Sequence, residues 1–150
     1  MEIGNKRTGI FLIITCLWVL ITICGWNGKW FVGMIASVIL MLLYMILGAA
    51  KGGKLNKKLL FYPLLSWAVL WNVGFYFSKY YADVLAGKMP NFTILGFHPS
   101  FSFTILTYWI GGVLTLSVGF YFYSDLWLSN EDWDDFKKKI EVINSKKEAK

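Results

Sequence analysis

Four long apolar runs, separated by short polar segments, dominate the pattern along the chain. They cover residues 9–25, 30–50, 59–77 and 101–123, and the second has no charged residue in 21 positions. A helix needs about 20 predominantly apolar residues to cross the hydrocarbon core of a bilayer. The pattern therefore predicts an all-α integral membrane protein, with a bundle of four transmembrane helices in residues 1–128.

A different pattern follows in residues 129–150. Ser129 is a candidate N-cap with Asp132 three residues later, and lysines follow the acidic residues, an order that suits the helix dipole. Apolar residues spaced by 3, 4 and 3 positions share one face of a helix. These residues are Trp133, Phe136, Ile140 and Ile143. We therefore predict a C-terminal amphipathic cytoplasmic helix, which lies on the membrane or packs on a partner.

The distribution of positive charge predicts the orientation of the chain. With the N-terminus inside, twelve Lys and Arg residues lie on the inner side, in the head, the loop "KGGKLNKK" and the tail. Three lie on the outer side, namely Lys29, Lys79 and Lys88. The positive-inside rule then places both termini in the cytoplasm and predicts a multi-pass protein of the cell membrane.

Composition narrows the classes of partner. Charged residues make up 16% of the chain, whereas soluble domains have about 25%. The net charge of +6 would be compatible with binding to nucleic acid. However, the lysines stand in short clusters beside apolar runs, where they set topology. We expect the lipid bilayer as a partner and no nucleic acid, and the frequent Lys, Asn and Ile indicate a bacterial inner membrane.

Residues that could carry chemistry are sparse. The predicted spans contain no Asp, Glu, Lys, Arg or His, whereas proton-driven carriers and pumps place such groups at membrane depth. A metal site needs three or more ligands, and only Asp83 and His98 are available on the outer side. We therefore predict no catalytic residues, no metal site and no cofactor, and a protein that is not an enzyme.

Asn72, in "SWAVLWNVG", is the most polar residue of the spans. It could be a ligand on a polar path for an ion or solute, together with the threonines of the spans. It could instead make a hydrogen bond between helices, worth about 1 kcal/mol. We favour the hydrogen bond.

Small residues recur in the fourth run at i, i+4 and i+8, as Gly111, Thr115 and Gly119. Such a face lets another helix approach closely. The same spacing occurs in two earlier runs, at Gly33 and Ser37 and at Gly74 and Ser78. Two interpretations are open: packing within the bundle, or docking of a separate membrane protein.

The stretch "NFTILGFHPSFSF", residues 91–103, holds the single histidine of the chain. Pro99 disfavours helical geometry at His98 and is well tolerated at the start of a helix. Gly96 allows the chain to turn. The stretch predicts a bent start of the fourth helix, in which His98 is a polar residue of the loop and not a base.

Several features after residue 66 occur together in one known pattern. Trp67–Gly74 has the form of a W-x-x-x-S/N-x-G-like run, and Gly96, Pro99 and Phe103 form an outer-loop element. A helix through Tyr123 and the acidic stretch "NEDWDDF" follow. This half of the chain resembles the small subunits encoded beside sodium:solute symporters. The resemblance covers about 70 residues.

Two departures from that family stand out. Its members usually have two spans, so the first two runs of this chain have no counterpart. Where the family has a glutamine-rich start of its last helix, this chain has "TILTYW".

The resemblance implies a non-catalytic accessory subunit of a sodium-coupled secondary transporter, which helps a larger membrane subunit to assemble or remain stable. The residues that we assign to partner binding are Gly111, Thr115, Gly119, Trp133, Phe136 and Ile140. The outer-loop motif consists of Gly96, His98 and Pro99. Two alternatives remain: a self-sufficient homo-oligomeric channel or carrier that uses Asn72, and the small membrane subunit of a tripartite carrier.

Overall fold

The computed structural model describes residues 2–148, with side chains as far as Ser145. Met1 and residues 149–150, which the predicted bundle and tail include, lie outside the described part. Four helices are long and apolar enough to cross a membrane. They are α1 (Gly4–Trp26), α2 (Trp30–Gly48), α3 (Lys57–Val84) and α4 (Pro99–Phe122). The short α5 (Ser124–Trp127) and the longer α6 (Asn130–Glu148) follow. The prediction of an all-helical protein with four helices of membrane-spanning length is confirmed.

Helix α3 differs most from its apolar run, residues 59–77. It continues to Val84 through a polar stretch. Lys79 and Asp83 form an ion pair of 2.6 Å one turn apart on this extension, and the hydroxyl of Ser78 donates to a backbone carbonyl in the first turn of α4. The backbone hydrogen bonds of a helix do not require apolar side chains, so a helix can continue beyond its apolar run.

The four long helices pack mainly as neighbours in chain order. Helices α1 and α2 form one antiparallel pair, α3 and α4 form the other, and α2 packs against α3. Val38, Trp67 and Ala68 make a buried cluster between α2 and α3. Helix α1 is held to α2 at Gly33, where an added Cβ would lie 3.6 Å from Cβ of Cys24. The arrangement leaves α1 with the least buried surface of the four.

The N-terminus and the loop between α2 and α3 close one end of the bundle together. The backbone N–H of Ile3 donates to the carbonyl of Gly53 at 2.7 Å. Ile3, Leu55 and Leu59 are at most 1% exposed and belong to one apolar cluster. Exposed basic residues surround this cluster, and we call this end the basic end. They are Lys6, Arg7, Lys51, Lys54, Lys57 and Lys58.

Helices α3 and α4 contain wider π-helical turns. In α3 the π segment is Leu60–Leu65, which contains Pro63. Proline lacks the backbone N–H and its ring collides with the carbonyl four residues earlier, so a widened turn accommodates it. In α4 the π segments are Ile105–Ile110 and Val113–Ser117. Pro63 packs against Gly119 of α4, which lies two residues after the second of these segments.

Candidate interaction surfaces

The small-residue face of α4 is packed against α3. A Cβ added at Gly111 would lie 3.1 Å from Cδ1 of Leu70, and one added at Gly119 would lie 3.0 Å from Cβ of Pro63. Thr115, between them, is 6% exposed. Since α3 already occupies this face, it is not available to a separate membrane protein. Our assignment of these three residues to partner binding is therefore corrected to packing within the bundle.

Gly74 of α3 has the tightest surroundings of the described glycines. A Cβ added there would lie 2.0 Å from Oγ1 and 3.0 Å from Cβ of Thr107. The hydroxyl of Thr107 donates to the carbonyl of Phe103 at 2.7 Å, which fixes its position. Only a glycine leaves room at this crossing.

The loop between α3 and α4 leads into the start of α4. His98 is the N-cap residue, and its Nδ1 accepts the backbone N–H of Ser100 at 3.3 Å. Pro99 occupies the first position of the helix and is fully buried. Gly96 has φ +78° and closes a turn in which the backbone N–H of Phe97 donates to the carbonyl of Ile94 at 3.0 Å. The structure therefore gives His98 a local capping role.

Asn72 makes its hydrogen bond within its own helix. Its Nδ2 donates to the carbonyl of Ala68 at 2.7 Å, while its Oδ1 is buried and has no partner among the described residues. Within the described residues Asn72 makes no hydrogen bond to another helix, so the bond between helices that we favoured is not formed there. No hydrogen bond in residues 2–148 joins Asn72 to a threonine, so the structure assembles no polar path from these groups.

The two residues that we considered as metal ligands, Asp83 and His98, each have a local partner. Asp83 pairs with Lys79, and Nδ1 of His98 lies 2.8 Å from the hydroxyl of Ser100. Within the described chain, no three His, Cys, Asp or Glu residues group in a way that could hold a metal ion.

An ion pair attaches the start of α6 to the basic end. The ammonium group of Lys51, in the loop between α2 and α3, donates to Oδ2 of Asp132. The same oxygen accepts the backbone N–H of Ser129 at 2.8 Å and its hydroxyl at 2.6 Å. Hydrogen bonds from Lys51 and Ser129 lower the pKa of Asp132 to about 2. We call these three residues the latch.

The apolar residues of α6 face away from other parts of the described chain. Trp133 and Phe136 stack with ring centroids 5.5 Å apart, and both are 51% exposed. Ile140 and Ile143 continue the row and are also exposed. We call these four residues the α6 stripe. This part of our partner-binding assignment remains open to a ligand, because nothing in the bundle covers it.

Sequence reasoning missed one surface completely. An apolar groove of about 480 Å³ lies between α2 and α4 near the basic end, with Met45, Gly48, Leu116, Phe120 and Trp127 among its lining residues. The residues that line the groove come from separate parts of the chain, so no sequence pattern indicates it. In a bilayer, hydrocarbon chains would fill such a groove.

Comparison with known proteins gives no assignment. No protein family, no curated protein and no solved structure matches this chain.

Proposed function

We propose that the protein is a non-catalytic accessory subunit of a larger, sodium-coupled secondary transporter, which it helps to assemble or stabilise. The observation that carries this proposal is that four polar side chains of the spans form hydrogen bonds within their own helices. Ser37, Asn72, Thr107 and Thr115 each donate to a carbonyl of their own helix one turn earlier, at 2.7 or 2.8 Å. The donors of these four groups are committed within their own helices and are not free to bind a solute.

The uncovered surface of the bundle supports the same role. Ile14 and Cys24 are the buried residues of the long α-helical part of α1. Most other side chains of α1 point away from α2, for example Leu12, which is 63% exposed. A span of a second membrane protein has more room along α1 than along the other three helices. The transporter would pack there, and we infer that it is a sodium-coupled symporter from the resemblance of residues 67–136 to symporter-associated subunits.

Purification of the intact complex tests the proposal. We expect a larger integral membrane transporter to co-purify with the tagged protein from mild detergent in a fixed ratio. Deleting the small protein should lower sodium-dependent uptake and the amount of the transporter in the membrane. If the purified protein alone moves a solute or an ion across liposomes, the proposal fails.

A pair of matched variants locates the surface. Leu12→Trp enlarges an exposed side chain of α1, and Val113→Trp makes a similar enlargement on an exposed position of α4. We expect Leu12→Trp to reduce co-purification and Val113→Trp to leave it unchanged. The reverse result would move the docking surface from α1 to α4.

One observation favours the second candidate, a homo-oligomeric channel or carrier. The buried Oδ1 of Asn72 has no partner in the described chain, and a second copy or a permeating solute could supply one. Under that function Asn72→Leu abolishes transport by the purified protein. Under the accessory function Asn72→Leu leaves sodium-dependent uptake by the complex intact.

A further inference from the structure

Helix α6 begins close to the membrane surface. Only residues 123–129 separate the last helical residue of α4, Phe122, from the start of α6. The latch then holds Asp132 against Lys51, in the loop that joins two membrane spans. A helix of 19 residues is about 28 Å long. With the four long helices in a bilayer, the short connection from α4 starts α6 at the level of the lipid headgroups, with its stripe exposed.

The three lysines in the middle turns of α6 are arranged around the stripe in a definite way. At about 100° per residue, the four stripe residues fall within an arc of about 80°. Lys137 lies about 40° outside one edge of that arc and Lys139 about 40° outside the other. Lys138, between them in sequence, projects from the opposite face. Lysines at both edges of an apolar stripe can reach upward to the headgroups while the stripe is buried.

The acidic residues of α6 avoid the neighbourhood of the stripe. Glu131, Asp134, Asp135 and Glu141 lie about 80° or more outside its edges, and Glu148, at the end of the helix, lies about 60° outside one edge. Asp132 is the exception, about 20° from one edge, and the latch pairs it with Lys51. The side of α6 that carries the stripe is therefore flanked by a lysine on each side along its middle turns. Lys137 also pairs with Asp134 at 2.7 Å, but both side chains are more than half exposed, and such a pair contributes little.

We propose that α6 lies in the headgroup region of the leaflet at the basic end. The stripe faces the hydrocarbon, and Lys137 and Lys139 contact the phosphates of acidic phospholipids. This proposal is independent of the transporter. A groove on a protein could also accept the apolar row, but it would not require lysines at both edges. A surface of acidic lipid attracts each of them, so the charge pattern favours lipid.

Three neighbouring lysines allow a matched test in the full-length protein. The protein is reconstituted in vesicles of phosphatidylcholine with increasing phosphatidylglycerol, in a background of Cys16→Ser and Cys24→Ala. An environment-sensitive fluorophore is attached in the stripe through Ile143→Cys, or on the opposite face through Ser145→Cys. We expect a blue shift of the probe at position 143, rising with the acidic lipid, and none at position 145.

The lysine variants carry the quantitative prediction. Lys137→Gln and Lys139→Gln should each lower the docking equilibrium constant about fivefold, the effect expected for one lysine near an acidic surface. Lys138→Gln should change it less than about twofold, because a charge about 10 Å farther away is largely screened. All three are exposed surface changes, and an unchanged unfolding midpoint checks that the bundle is intact.

Several results would overturn the proposal. Equal shifts at positions 143 and 145 would show that the stripe is not the buried face. Equal effects of the three lysine variants, or equal docking to vesicles without phosphatidylglycerol, would remove acidic lipid as the ligand. A shift that appears only when a purified transporter is added would assign the stripe to a protein.

Discussion

The crowded surroundings of Gly74 give the sharpest prediction about stability. In Gly74→Ala the added methyl group would lie 2.0 Å from Oγ1 of Thr107 and 3.3 Å from its Cγ2. Thr107 cannot rotate away freely, because its hydroxyl donates to the carbonyl of Phe103 and its Cβ is itself only 3.0 Å from the added group. Helices α3 and α4 must therefore move apart. Overpacking of this kind costs about 1–3 kcal/mol, and we expect a loss in that range.

A double-mutant cycle identifies the cause of the loss. Thr107→Ala removes Oγ1 and Cγ2, so the nearest atom to the added methyl group is then Cβ at 3.0 Å. The double variant should be more stable than the sum of the two single losses predicts, by about 1 kcal/mol or more. The measurement is reversible unfolding in detergent micelles, followed by circular dichroism.

Gly112→Ala is the matched control for this cycle. It also lies in a membrane-spanning helix, and an added Cβ there has nothing within 4 Å. Replacing a helical glycine by alanine without a clash is neutral or stabilises by up to about 1 kcal/mol. Our account of the α3–α4 crossing is refuted if Gly74→Ala changes stability no more than this control, or if Thr107→Ala gives no relief.

Two further predictions concern the ends of the helices. The folded pKa of Asp132 is lowered from 3.8 to about 2, so the latch should be complete above about pH 4 and lost as the pH falls toward 2. Hydrogen exchange in the first turn of α6 should rise over that range, and Asp132→Asn should raise it at neutral pH; a flat profile would contradict the latch. His98→Ala should destabilise the start of α4 by about 1 kcal/mol and speed exchange of the Ser100 amide. His98→Asn, which keeps a capping group, should not; equal effects of the two variants would argue against capping.

The sequence determined the features that depend on neighbours along the chain. The apolar runs specify four helices of membrane-spanning length, because each helix satisfies its backbone hydrogen bonds internally. The start of α4 at Pro99 and the pairing of Ser129 with Asp132 involve residues at most a few positions apart. Such local contacts follow from residue types and spacing alone.

The position at which α3 ends could not be predicted from the sequence. An apolar run marks the part of a helix that lies in hydrocarbon, and it says nothing about how far the helix continues into water. The extension to Val84 rests on the pairing of Lys79 with Asp83 and on the contact of Ser78 with α4. The second of these joins two helices and requires the tertiary structure.

Only the tertiary structure decided which surfaces are covered. The spacing of Gly111, Thr115 and Gly119 shows that a helix can approach, but the rotation of α4 about its axis decides that this helix is α3. In the same way, Lys51 and Asp132 are 81 residues apart, and no pattern in the sequence indicates that they pair. Helix propensity and capping act within a few residues of the chain, whereas the choice between an internal and an external partner depends on where whole helices meet.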